Sequence, residues 1–162
     1  MAGDAELLNM VEKLRYDEDP VVLIVFTDHM PWMGDSNVYY QEMGVYLDLG
    51  TEQGVRNYFT TDYLIWANDA AKEALGTDFA GKGPTVSPCY LMDVAFEQMG
   101  WAGPAFSQVM REMREVFPVI STHHSCYVID DVFTDTIPEH RQQMWHKFQC
   151  LQHYWRNEFL YQ

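Results

Sequence analysis

Cysteine is scarce in this chain. Cys89, Cys126 and Cys150 are the three thiols, and no CxxC pair occurs. That excludes a disulfide-stapled scaffold, and the three read as partly buried free thiols. Positive charge is scarce too: 10 Lys and Arg stand against 24 Asp and Glu, a formal net charge of −14. A nucleic-acid partner or a polybasic attachment to an anionic membrane requires a basic face, and none is visible, so neither is expected. Long hydrophobic runs are missing. The longest, Val21 to Phe26, falls far short of the roughly 20 residues that cross a bilayer. No basic start followed by an apolar segment and a small-residue cleavage site marks a signal peptide. The chain is therefore expected either to be cytoplasmic or to have its targeting segment upstream. Repeats, low-complexity stretches and long linkers do not occur.

What is present is apolar and aromatic. Nearly half of the 162 residues are hydrophobic and 15% are aromatic, enough for a folded core and unlike a disordered chain. Residues 4–16 read as a helix with Asp4 as N-cap and Leu7, Val11 and Leu14 at helical spacing. Pro20 ends it. The run Val21 to Thr27 does not alternate, which predicts a strand buried on both faces within a mostly parallel sheet. A loop follows at Asp28 to Asp35, punctuated by Pro31 and Gly34. Tyr63 to Ala67 reads as a second strand, and Asn68-Asp69 as the cap of a short helix stopped by Gly76. Ser87-Pro88 predicts a helix start, with a stop at Gly100; Pro104 to Phe117 reads as another helix and Tyr127 to Ile129 as a short strand. Thr136 and Glu139 are spaced as a capping box, opening a last helix to about Leu160 with Met144, Phe148, Leu151, Trp155 and Phe159 as its apolar stripe. Helices alternating with apolar strands predict an α/β fold with a mostly parallel sheet flanked by helices.

The sharpest chemical signal is Asp28-His29 directly after the apolar strand. In open α/β sheets ligands bind at the carboxyl ends of strands. A carboxylate beside an imidazole suits a divalent ion such as Zn²⁺, Mn²⁺ or Mg²⁺, which in so acidic a protein supplies the local positive charge that holds a phosphate or sulfate ester. The bland alternative is an Asp capping a turn beside a His bonded to a backbone carbonyl.

Three segments carry a resemblance. DPVVLIVFTDHMPWMGD (Asp19 to Asp35), FTTDYLIWA (Phe59 to Ala67) and SPCYLMDVAFEQMG (Ser87 to Gly100) resemble, in order and spacing, consecutive elements near the end of the sulfatase-like domain of lipoteichoic-acid synthases and their relatives in the sulfatase/alkaline-phosphatase superfamily. The resemblance covers roughly residues 4–100, and two departures are Thr27 where Gly is usual and Asp62 where Pro is common. It implies that residues 1–100 form the C-terminal part of a sulfatase-like catalytic domain, with 101–162 a helical C-terminal extension. It implies Asp28 and His29 as two metal ligands. It also implies that the nucleophile and remaining ligands lie in a missing N-terminal part of the same protein, which would be the chain's partner. The substrate would be an anionic lipid or polymer, and the reaction transfer of phosphoglycerol- or phosphoethanolamine-type groups. The place would be the extracytoplasmic face of a bacterial membrane, reached through an N-terminal anchor. On the same loop, Trp32 suits the edge of a sugar or glycerol and Asp35 a hydroxyl. Loop packing and a turn cap are the plainer roles for these two.

A sulfatase or phosphatase of the same superfamily is the near alternative. A non-catalytic α/β interaction module is the distant one. Other groupings read as structure. His146, Cys150 and His153, at i, i+4 and i+7 of the last helix, share a solvated polar face with glutamines. His123-His124 reads as a loop pair, Ser125-Cys126 lacks a nucleophile elbow, and Gly81-Lys82-Gly83 is too short for a phosphate loop.

Overall fold

The computed structural model describes residues 2–122 and 124–159, with side chains from 4 to 157. His123, Leu160, Tyr161 and the side chain of Phe159 lie outside the described residues. Two compact units divide the chain, Met1–Gly81 and Lys82–Gln162.

The first unit runs α1 (Ala2–Arg15), β1 (Val22–Phe26), a 3-10 turn at Asp35–Asn37, α2 (Val38–Glu42), α3 (Glu52–Phe59), β2 (Tyr63–Ala67) and α4 (Asp69–Leu75). The expected parallel sheet is not what forms. β1 pairs with β2 antiparallel, from Val22 opposite Ala67 to Phe26 opposite Tyr63, and no parallel pair occurs among the described residues. The uninterrupted apolar run suggests a parallel partner, but a run without alternation carries no pairing direction. The connection from Phe26 returns to the end of the sheet it left: the Thr61 hydroxyl donates to the Thr27 carbonyl at 3.0 Å, one residue beyond the ladder. Nor is β1 buried on both faces. Val22 to Val25 are half-buried and Phe26 is exposed.

One side chain ties this unit together. Asn68 is 1% exposed. Its Oδ1 accepts from Val21 N at 3.0 Å and Ala71 N at 2.9 Å. Its Nδ2 faces the carbonyls of Leu14, Asp17 and Asp19 at 3.1, 3.2 and 2.9 Å. It therefore caps α4, closes the end of α1 and launches β1. A second constraint is Gly54 in α3, where a Cβ would stand 1.9 Å from the backbone oxygen of Asp48. The chain before α3 crosses the helix at a point only glycine leaves open. Thr51 caps the same helix by accepting from Gly54 N.

The second unit holds a 3-10 turn at Pro88–Tyr90, α5 (Leu91–Gln98), α6 (Ala105–Val116), an antiparallel meander β3 (Val119–Ser121), β4 (Cys126–Ile129) and β5 (Val132–Thr134), and α7 (Gln142–Tyr154), which ends in a π turn at Trp155–Phe159. Tyr90, Met110, Met113, Phe117, Tyr127, Ile129 and Phe148 form its core. Ser87 precedes the helical turn that Pro88 opens, as its sequence predicts, but caps nothing with its side chain. The hydroxyl instead donates to Ile120 O at 3.1 Å and accepts from Ile120 N at 2.8 Å, acting as a one-residue strand on the edge of β3. The capping box at Thr136 does not form, because Thr136 N donates to the Thr134 hydroxyl and Thr136 O accepts from it. Asp93 is buried between Arg111 and Arg114, at 3.2 and 3.4 Å. Burial raises its carboxyl above the ordinary value even though both guanidinium groups lower it.

The two-residue turn from β4 to β5 places Asp130 and Asp131 at φ 50° and 63°, the left-handed pair that matches strand twist. Arg141 holds it, donating to both carboxylate oxygens of Asp130 at 2.8 and 2.5 Å.

Two predictions follow from these ties. Asn68→Ala leaves buried backbone groups without partners and lowers stability by at least about 2 kcal/mol; Asn68→Asp, which sets a carboxylate against three carbonyls, does no better. Urea unfolding measures both. For Asp130, the hydrogen bond from Arg141 is the main reason its carboxyl lies below the ordinary 3.8. A depressed folded value gives stability that is present above 3.8 and lost as pH falls through the lowered value. Melting temperatures of the native chain and Asp130→Asn should differ at neutral pH and converge in acid.

Candidate functional site

β1 ends at Phe26, and the next residues turn out of the sheet into solvent. Asp28 and His29 stand there with side chains 84% and 75% exposed. The Asp28 carboxylate accepts from His29 N at 3.0 Å, which fixes the carboxylate beside the ring. The ring is fixed from the other side: His29 Nδ1 lies 2.8 Å from the Met30 carbonyl oxygen. A carbonyl only accepts, so Nδ1 carries the proton and, in the neutral ring, Nε2 keeps its lone pair. Nε2 lies 3.5 Å from Asp28 Oδ2. At that separation both atoms are within reach of one metal ion.

The spacing fits a metal. Two ligands about 2.05 Å from a tetrahedral ion lie about 3.4 Å apart, whereas adjacent ligands of an octahedral Mg²⁺ at the same length lie about 2.9 Å apart. The backbone carbonyl on the second ring nitrogen is the usual outer partner of a ligating His. Among the described residues no group of three or more His, Cys, Asp or Glu is clustered for a metal. The pair thus offers two ligands, and at this exposure it holds an ion weakly by itself.

The pair opens on a cavity of about 280 Å³ walled by Met30, Pro31, Trp32, Tyr40, Tyr58 and Phe59, with Asn37 and Leu47. The loop is anchored by Tyr40, 8% exposed, whose hydroxyl donates to Pro31 O at 2.9 Å. Gly34 sits at φ 81°, where a Cβ would also stand 2.7 Å from the Tyr39 ring. The chain then passes through Ser36 and Asn37 at φ 54° and 57°, left-handed positions rare for non-glycine residues. Trp32 lines the cavity and is 73% exposed. Asp35 starts the 3-10 turn, is exposed, and is not among the lining residues. The aromatic wall from α2 and α3 is what sequence reasoning missed. Tyr40, Tyr58 and Phe59 meet Asp28 and His29 only through the antiparallel return of the chain, and no local spacing announces that.

Elsewhere, His146 Nε2 lies 3.7 Å from Cys150 Sγ on the exposed face of α7, while His153 Nδ1 meets the Asn157 amide at 3.1 Å. The His153 ring is thus engaged away from the His146–Cys150 pair. No helix among the described residues is long and apolar enough to cross a membrane. Comparison with known protein families, with curated proteins and with solved structures gives no match to this chain.

The ring geometry predicts a measurable tautomer. Long-range ¹H–¹⁵N spectra at pH 8 should show His29 protonated at Nδ1, and added Zn²⁺ should shift Nε2. Asp28→Ala should weaken that response at least about tenfold.

Proposed function

We propose that this chain contributes the Asp28–His29 part of a divalent-metal centre in an enzyme that transfers phosphoglycerol- or phosphoethanolamine-type groups in the bacterial cell envelope. The carrying observation is the pair itself: an imidazole with its proton tied to Met30 O and its Nε2 3.5 Å from a carboxylate oxygen, on the wall of a cavity. The support from sequence is the resemblance of the segments around Asp28, Tyr63 and Ser87 to lipoteichoic-acid-synthase-like proteins. The ion is Zn²⁺, Mn²⁺ or Mg²⁺, with the ligand spacing favouring a four-coordinate one.

When bound, such an ion activates a nucleophile and neutralises charge developing on the phosphoryl group. Asp28 supplies a hard anionic ligand, and His29 a neutral one whose orientation Met30 O holds. Trp32 offers an apolar face beside them for the glycerol or sugar edge of an anionic lipid or polymer, and Asp35 a hydroxyl acceptor at the start of the next turn. The reading requires a nucleophile and further ligands beyond this pair, from a preceding part of the same polypeptide with a membrane anchor.

The test uses the complete coding region expressed in membranes. Metal-dependent transfer of labelled glycerol phosphate from an anionic phosphoglycerol lipid is expected. Asp28→Ala and His29→Ala should each reduce it at least about a hundredfold. Release of sulfate or inorganic phosphate from a monoester in place of transfer would assign the sulfatase or phosphatase alternative. Metal-independent behaviour in both variants would leave a non-catalytic interaction module.

A further inference from the structure

A second cavity of about 560 Å³ adjoins the first, and Asn37, Leu47 and Tyr58 line both. Its own residues come from the end of α2 and the chain before α3, among them Gln41, Tyr46 and Asp48. Two features set its chemistry. Asp48 is the single charged side chain among the described residues that line it; Lys, Arg and His are absent from that wall. An anionic group there would face a carboxylate with no cation to compensate. Aromatic and hydrogen-bonding groups are instead interleaved. Tyr46 and Tyr58 are 49% and 37% exposed, presenting ring area to a ligand. The Tyr46 hydroxyl donates to Asp48 Oδ2 at 3.1 Å and Gly50 N donates to Asp48 Oδ1 at 2.9 Å. These bonds fix the carboxylate while leaving part of its four-site acceptor capacity open. Asn37, held left-handed at φ 57° on the shared wall, makes no capping bond with its side chain, so its amide is available to both cavities. Non-glycine residues in such backbone persist where the surroundings impose them, often beside binding sites.

We infer that the second cavity holds a neutral hydroxylated unit, a sugar ring or polyol, of a substrate whose reacting ester lies against Asp28 and His29. Hydroxyls donate to Asp48 and to the Gln41 Oε1, whose Nε2 donates to Ser36 O at 3.2 Å, and exchange hydrogen bonds with the Asn37 amide, and the carbon faces of the unit pack on Tyr46 and Tyr58. The anionic end of the substrate is thereby confined to the metal end of the groove. This assignment of substrate class rests on the reading of Asp28 and His29 given above, but the binding it requires does not depend on a metal.

Saturation-transfer and chemical-shift NMR on the full chain in EDTA, with cellobiose and cellobiose 6′-phosphate as probes, tests it. Cellobiose should bind and shift the Tyr46 and Tyr58 ring signals, with the phosphorylated sugar about tenfold weaker, as a nearby unpaired carboxylate dictates. Asp48→Asn, which keeps the side chain's shape and one acceptor oxygen, should bring the two affinities together. Asn37→Ala should weaken both, with circular dichroism verifying the fold. Equal or tighter binding of the phosphorylated sugar to the native chain, or cellobiose binding indifferent to both substitutions, would overturn the inference, as would no cellobiose binding at all. Asp28→Ala and His29→Ala should leave cellobiose binding intact. Metal uptake without sugar binding therefore defeats this inference alone, and sugar binding without metal uptake defeats the metal reading alone.

Discussion

The five hydrogen-bond contacts of the Asn68 amide set the geometry of the first unit. Each is ordinary in strength; their concentration on one buried group is what matters. An amide both donates and accepts, so one side chain can meet carbonyls in and just after the last turn of α1 while capping α4 and holding the amide just before β1. Because Asn68 follows β2 directly, the register of β2 against β1 and the exit of β1 toward Asp28 are fixed by the same atoms. No carboxylate, hydroxyl or alkyl side chain can substitute for it, since the site demands donors on one side and an acceptor on the other.

Much of this framework was legible in the sequence because its chemistry is local. Asn68 reads as a helix cap from its place before Asp69, Gly76 as a stop, Pro88 as a first helical residue, and Tyr63 to Ala67 as a strand from its β-branched and aromatic content. Each depends on neighbours a few residues away. The direction of strand pairing is different. The run from Val21 to Phe26 is equally apolar whether its partner is parallel or antiparallel. What decides the matter is the return of the chain through α2 and α3, elements too short to show a period of their own. The same limit applies to Ser87 and Thr136. Both carry the composition of a cap, yet Ser87 spends its hydroxyl on the edge of β3 and Thr136 has its backbone engaged by Thr134.

The candidate site divides along the same line. Asp28 and His29 were visible as an adjacent carboxylate and imidazole following a strand, and their exposure at its end follows from the loop residues Pro31 and Gly34. The aromatic wall opposite was not visible, because Tyr40, Tyr58 and Phe59 arrive from elements whose spatial partner is fixed only by tertiary pairing. The second cavity was hidden for the same reason. Asp48 and Gln41 are exposed residues that only the path of the chain before α3 sets on one wall. Even the ring orientation of His29, which decides which nitrogen is free, comes from a backbone oxygen that sequence composition cannot signal.

That crossing at Gly54 has a consequence for how this groove can change over time. Its outer wall rests on α3 through a main-chain contact, oxygen of Asp48 against the bare α-carbon of a glycine, and is held there by the Asn57 amide on Tyr46 O and by the Asp48 carboxylate on Gly50 N. Tyr46 bonds the wall through its hydroxyl to the Asp48 carboxylate and not to main chain, so that side chain can be exchanged while the groove's contour persists and its chemical preference drifts. Gly54 itself has no such freedom. A lineage could diversify what this surface accepts by revising the lining alone, provided that one hydrogen atom in α3 is never replaced by a methyl group.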